Sequence, residues 1–216
     1  TGVQTCALPI SAARGYDIAI NYRQDATAAH ALVAEIERLG VRARAFAGDV
    51  SREAEVLALF AAVDRELGTL DVLVNNAGIV GPRSPLAEMS AERIERLFAV
   101  NVTGAMLCAR EAVKRMSTRL GGRGGVIVNV STAMVRSGAP NHMIDYAASK
   151  GAIDVLTVGL AREVATEDIR VCATRPGIIL TTIQGEPDMD MRRKTGALVA
   201  PQKRAGEPEE VAQSIL

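Results

Sequence analysis

Along the chain, short β-branched runs alternate with longer stretches of helical period. Residues 17–22 (DIAINY) read as a strand, and residues 25–39 as a helix that stops at Gly40. Residues 41–47 form the next strand, after which Ser51 caps a helix running to about 67. Residues 70–74 are a buried strand followed by a loop containing Gly and Pro. Ser90 opens a long helix to about 120, and the glycines of 121–125 mark a turn. Residues 126–130, apolar except for Asn129, read as a central strand. A helix over 145–166 and a strand over 169–174 come next. Residues 176–203 show no clear period and read as a mobile loop over a substrate, and Pro208 starts a last helix. Strands alternating with helices predict an α/β fold: a doubly wound, Rossmann-like parallel sheet between two helical layers. No repeat or low-complexity stretch divides it, so one domain is expected.

Composition narrows the function classes. At 216 residues the chain is long enough to bury a core. Lys plus Arg and Asp plus Glu are 25 each, so there is no net field to hold nucleic acid or an anionic membrane. No run approaches the roughly 18 apolar residues of a membrane span, and no basic-then-apolar leader is visible. A cytoplasmic protein is expected. Cys6, Cys108 and Cys172, odd in number and widely spaced, suggest reduced and buried thiols. His30 and His142 are isolated, so no metal site is expected.

The candidate chemistry starts at YAASK, residues 146–150. Tyr146 and Lys150 are four apart, so on a helix they share a face one turn apart. A cation beside a phenol favours the phenolate, and lowering a tyrosine by about three units takes roughly 4 kcal/mol. The pair is therefore expected to act as a proton donor that works near neutral pH.

Other segments keep it company: GDV at 48–50, NNAG at 75–78, NVTG at 101–104, VNVST at 128–132 and RPGII at 175–179. In this order and spacing the chain resembles a short-chain dehydrogenase/reductase over residues 12–216. The likeness leans to the subgroup of glucose dehydrogenases and 3-oxoacyl-carrier-protein reductases. The resemblance implies an oxidoreductase that moves a hydride between a nicotinamide cofactor and a small alcohol or carbonyl compound. It also implies roles by position. Tyr146 is the acid in reduction and the base in oxidation, while Lys150 lowers its pKa and holds the nicotinamide ribose. Thr132, with Ser131 as the alternative, polarises the carbonyl, and Asn101 opens its helix to hold a relay water. Asp49 and Val50 seat the adenine; Asn76, with Ala77 and Gly78, lets the ribose approach. Ile179, after Pro176 and Gly177, meets the nicotinamide carboxamide through its backbone, with Thr181 in support. Members that use NAD carry an acid at the end of the second strand; here Tyr22 and Arg23 stand there, which implies NADP over NAD. The family's habit implies a homotetramer or homodimer through the helices near 90–120 and 145–166. A fold-related protein without turnover is the alternative reading.

The family's first strand and Gly-rich pyrophosphate loop find no match before Ala12. TGVQTCALPI stands there instead, with Pro9 where a helix is due. Residues 3–10 resemble the translation of a common short-read sequencing adapter, so residues 1–10 are expected to be non-native, followed by a truncated domain over 11–216. A final strand beyond Leu216 is expected to be missing as well. The chain as it stands is then expected to bind its cofactor weakly.

Overall fold

The computed structural model describes residues 2–181 and 189–215. Its elements follow in order: α1 (Gly2–Ala13), β1 (Ile18–Tyr22), α2 (Ala26–Glu37), β2 (Ala43–Ala47), α3 (Glu53–Glu66) and β3 (Val72–Asn75). Then come α4 (Ala91–Phe98), α5 (Ala105–Met116), β4 (Gly125–Val130), α6 (Ile144–Glu163), β5 (Ile169–Thr174), α7 (Met189–Val199) and α8 (Pro208–Ile215). Each paired strand is parallel to its neighbour: β1 with β2, and β4 between β3 and β5. Parallel pairing follows from helical connections, which return the chain to the same end of the sheet.

β4 shows why its sequence is almost wholly apolar. Successive side chains point to opposite faces, and both faces are covered. Ile127 packs with Val56 and Phe60 of α3 and Cys108, Ala112 and Met116 of α5. Val128 and Val130 pack on the other side with Ala7 of α1 and Val211, Ala212 and Ile215 of α8. The result is three layers. A third cluster joins Ile18 and Ile20 of β1 to Ala29, Leu32 and Ile36 of α2.

Among the described residues the sheet is in two parts, two strands and three, instead of one continuous ladder. A cleft of about 850 Å³ lies between them, lined by Ile18 and Ala19 of β1, Leu73 and Val74 of β3, and Phe60 and Val63 of α3. Cys172 of β5 opens onto this cleft and is exposed, contrary to the expectation of a buried thiol; Cys108 is buried in the core.

Local differences have local causes. Ser51 does not cap α3, whose cap position is Arg52; its hydroxyl donates to Asp49 instead, at 2.7 Å. Ser90 does cap α4 by accepting from Arg93 N–H at 3.3 Å. The single helix expected to 120 is broken into α4, a π-helical turn over Ala99–Gly104, α5 and a 3-10 turn over Thr118–Leu120. The stretch expected to be a loop at 176–203 contains α7. Residues 182–188 of that stretch, Thr1 and Leu216 lie outside the described residues. Gly2–Ala13 is helical with Pro9 inside it, and it seats Ala7 against α8 and Ala12 against β1. No described helix is long and apolar enough to cross a membrane.

Candidate active site

The C-terminal end of β4 and the first two turns of α6 meet around one buried ammonium. Lys150 is 4% exposed, and its Nζ donates to the Val130 carbonyl at 2.6 Å. Burial lowers its titration to about 8, against the pull of Asp154 one turn further along α6. Nζ stands 5.9 Å from the centre of the Tyr146 ring.

The Tyr146 phenol moves the other way from expectation. Burial raises its pKa, and the Thr132 side chain and the charge of Arg192 only partly oppose the rise. The Lys150 ammonium is directed at the Val130 carbonyl, and the shared burial disfavours phenolate and ammonium alike. At neutral pH the phenol is therefore held in its proton-bearing form.

Two adjacent hydroxyls compete for the place beside it, and their directions separate them. Ser131 Oγ, 2% exposed, turns back and donates to the Lys150 backbone carbonyl at 3.3 Å. Thr132 acts on the Tyr146 phenol, pulling its pKa down against burial, and its Oγ1 accepts from Met134 N–H at 3.3 Å.

Asn101 sits in the π-helical turn and is 1% exposed. Its Oδ1 accepts from Ile79 N–H at 2.8 Å, while its Nδ2 donates to the Ile79 carbonyl at 3.0 Å and to Ser149 Oγ at 3.1 Å. This one side chain ties the NNAG loop to the helix of Tyr146 and Lys150. Gly78 leaves the space between them open: a Cβ there would lie 3.4 Å from Asn101 Oδ1 and 3.6 Å from Lys150 Nζ. At the start of NNAG, Asn75 Nδ2 donates to Asn129 Oδ1 at 3.0 Å, and Asn129 Nδ2 donates to Thr157 at 2.9 Å. That buried ladder satisfies the one polar residue of β4.

A cleft of about 450 Å³ opens beside this cluster and brings together Arg23, Asp49, Val50, Asn76, Ala77 and Gly78. Its size suits half of a dinucleotide, within the ~300–1,000 Å³ common for ligand sites. Asp49 is already well partnered. Its Oδ1 accepts from Ser51 N–H at 3.0 Å and Ser51 Oγ at 2.7 Å, and its Oδ2 from Arg96 Nη2 at 2.7 Å. Burial pushes this carboxyl up, but those donors outweigh it and hold it at about 2. Arg96 and Asp25 also line the cleft, and neither stands out in the sequence. Asp25 caps α2 by accepting from Ala28 N–H at 2.9 Å.

Pro176, Gly177, Ile179 and Thr181 lie on the Thr132 side and do not line this cleft. The Pro176 carbonyl accepts from Ala133 N–H at 2.9 Å, which fixes the RPG turn next to Thr132. The Ile179 carbonyl accepts from Arg192 Nη1 at 2.7 Å, and Thr181 is buried. Arg192 comes from α7, where no period in the sequence announces a helix.

A family model described as short chain dehydrogenase matches residues 3–192. The chain belongs to the short-chain dehydrogenase family. Among curated proteins, this short-chain dehydrogenase is 45% identical to the uncharacterised oxidoreductase YgfF of Escherichia coli, over all of this chain and 87% of that protein. It is 39% identical to 3beta-hydroxysteroid dehydrogenase 1 of Eggerthella lenta, over 93% of this chain and 76% of that one. It is 34% identical to glucose 1-dehydrogenase 2 of Bacillus subtilis, over 91% and 75% respectively. As a short-chain dehydrogenase the protein is an oxidoreductase that acts on CH–OH groups of small molecules, and its family uses NAD(P).

Proposed function

We propose that this short-chain dehydrogenase interconverts a secondary alcohol and a ketone, or an aldehyde and its alcohol, with NADP. The arrangement that carries the reading is the Thr132 hydroxyl acting on the Tyr146 phenol beside a buried Lys150. A carbonyl oxygen placed between the two hydroxyls would receive a hydrogen bond from each as negative charge develops on it. Tyr146 then gives up its proton in reduction and takes one back in oxidation. The cofactor, when bound, supplies the hydride. Lys150 would hold the nicotinamide ribose, and Asn101 keeps the approach open between NNAG and α6. Pro176, Gly177, Ile179 and Thr181 would bound the carboxamide end, while Asp49, Val50 and the NNAG residues Asn76, Ala77 and Gly78 would bound the adenosine.

Arg23 supports a 2′-phosphate. It is exposed on the cleft directly after β1, and the nearby carboxylate, Asp25, is engaged as the cap of α2. No Gly-rich turn joining a strand to a helix occurs at this cleft among the described residues, which supports weak cofactor binding. The expected dissociation constant for NADPH is about 100 μM or weaker, on the scale where ~1.4 kcal/mol is tenfold. A low-micromolar value by calorimetry would contradict it.

Exposed apolar residues on the two helices the family uses for assembly, Met106 on α5 and Val155 and Val158 on α6, support a homodimer or homotetramer. A monomer by sedimentation at micromolar concentration would oppose that. The activity itself is tested with a panel of ketones and aldehydes at millimolar NADPH or NADH. Turnover is expected to be faster with NADPH. No turnover across the panel would favour a member of the fold that binds without reacting.

A further inference from the structure

The start of α6 is held by an ion pair that the roles assigned so far do not use. Asp145 directly precedes Tyr146, and its side chain is 1% exposed. Its Oδ2 accepts from Arg93 Nε of α4 at 2.9 Å, and its Oδ1 accepts from Tyr146 N–H at 2.9 Å. Arg93 Nη1 reaches on to Ser84 Oγ at 2.8 Å, and Ser84 N–H donates to the His142 carbonyl at 3.0 Å. Arg93 therefore joins three segments: α4, the loop after β3 and the approach to α6.

The cap position of α6, Met143, does not cap the helix with its side chain, so this pair stands where a cap would. The approach itself is tightly bent, with Ala139 and Asn141 at φ of 47° and 56°. Burial makes such a pair a poor source of net stability, since desolvating both charges offsets their attraction. Arg93 Nη2 is buried without a hydrogen-bond partner, which adds to that cost. Gly81 completes the seat: a Cβ there would lie 2.5 Å from Arg93 Nε.

We infer that the Arg93–Asp145 pair positions Tyr146, fixing the first turn of α6 so that the phenol meets Thr132. The inference rests on Tyr146 being the acid–base group. Arg93 and Asp145 are positioning residues, since neither is placed against the substrate.

The test uses the intact chain and the carbonyl substrate turned over fastest, at saturating NADPH. Arg93→Met and Asp145→Asn are compared; Asn keeps the acceptor for Tyr146 N–H but gives up the charge. Gly81→Ala displaces the guanidinium and leaves both charges in the protein. Each is expected to lower kcat by about 10- to 100-fold, as sub-ångström to ångström misplacement does, with the KM for NADPH changed by less than about twofold. The Arg93→Met/Asp145→Asn double variant should be no slower than either single one. Arg93→Lys, which keeps the ion pair, should recover most of the loss. A second readout needs no substrate. The protein has 3 tyrosines, so 3-fluorotyrosine labelling gives three ¹⁹F resonances, with that of Tyr146 assigned by Tyr146→Phe. Only the Tyr146 resonance should shift in Arg93→Met and Gly81→Ala.

An unmoved Tyr146 resonance, or kcat within twofold of wild type, overturns the inference. So does a loss of rate that merely follows a fall in Tm, with Arg93→Lys no better than Arg93→Met. If Arg93→Met does not fold, Gly81→Ala and Arg93→Lys decide by the same criteria. If Tyr146→Phe keeps turnover, the acid–base assignment fails, and the fluorine shifts still report whether the pair places the ring.

Discussion

Burying Lys150 brings its titration to about 8 from 10.5, so between those values the unfolded chain holds a proton that the folded protein has released. Stability therefore rises with pH across that window, because the unfolded state binds more protons there. Cys108, raised by burial from 9.0 to about 11, acts in the opposite sense above pH 9 but is common to wild type and variant. Denaturant unfolding should show wild type gaining about 1 kcal/mol more than Lys150→Met between pH 7 and 9, at up to ~1.4 kcal/mol per unit. Parallel profiles for the two proteins would mean that Lys150 is not desolvated. At the cofactor cleft, Arg23→Ala should weaken NADPH by about tenfold, one charge-assisted contact of ~1.4 kcal/mol, and leave NADH unchanged. Equal losses for both cofactors would remove Arg23 from the 2′-phosphate. At this scale the sequence revealed residues whose partners lie close along the chain, such as Tyr146 and Lys150. It did not reveal Arg93, Arg96 or Arg192, whose partners Asp145, Asp49 and Ile179 lie 52, 47 and 13 residues away along the chain. An arginine on a helix looks the same in sequence whether it faces water or a distant carboxylate.

Among the elements, α4, the π-helical turn and α5 form one run in sequence and three in structure. A single wider turn shifts the helical period by less than one residue, too little to show in a hydrophobic pattern. Its consequence is large, because it turns Asn101 towards Ile79 and Ser149. Gly104 closes the same turn against Val50: a Cβ there would lie 2.8 Å from Val50 Cγ2 and 3.1 Å from its carbonyl oxygen. Gly104→Ala should destabilise the protein by about 1–3 kcal/mol through overpacking and weaken NADPH by moving Val50. Unchanged Tm and affinity would show that α5 can shift freely. The helix α7 was hidden for a different reason. Its larger apolar residues Met191, Leu198 and Val199 are exposed, so they draw no buried stripe along it. β4 was the easiest strand to read, since burial on both faces makes it apolar except for Asn129.

For the whole molecule, alternation of strands and helices was enough to give the three layers and the parallel direction. It was not enough to give the lateral joins. Which strand edges meet depends on backbone pairing between distant segments, and nothing in the period of either strand encodes it. The cleft between β1 and β3 is one such outcome. Amide exchange should be slow along β4, paired on both edges, and faster for the β1 and β3 amides that face the cleft. Uniform protection across all three strands would show that the two parts are closed in solution.

The central claim is that Tyr146 donates the proton to a carbonyl oxygen held against Thr132. Its most direct measurement is kcat for carbonyl reduction by wild type and Tyr146→Phe as a function of pH, at saturating NADPH. Wild type should run level through neutral pH, where the phenol keeps its proton. Tyr146→Phe should be slower by about 100-fold or more at every pH, the range usual for a lost general acid. A Tyr146→Phe protein that keeps the wild-type rate and profile would contradict the account.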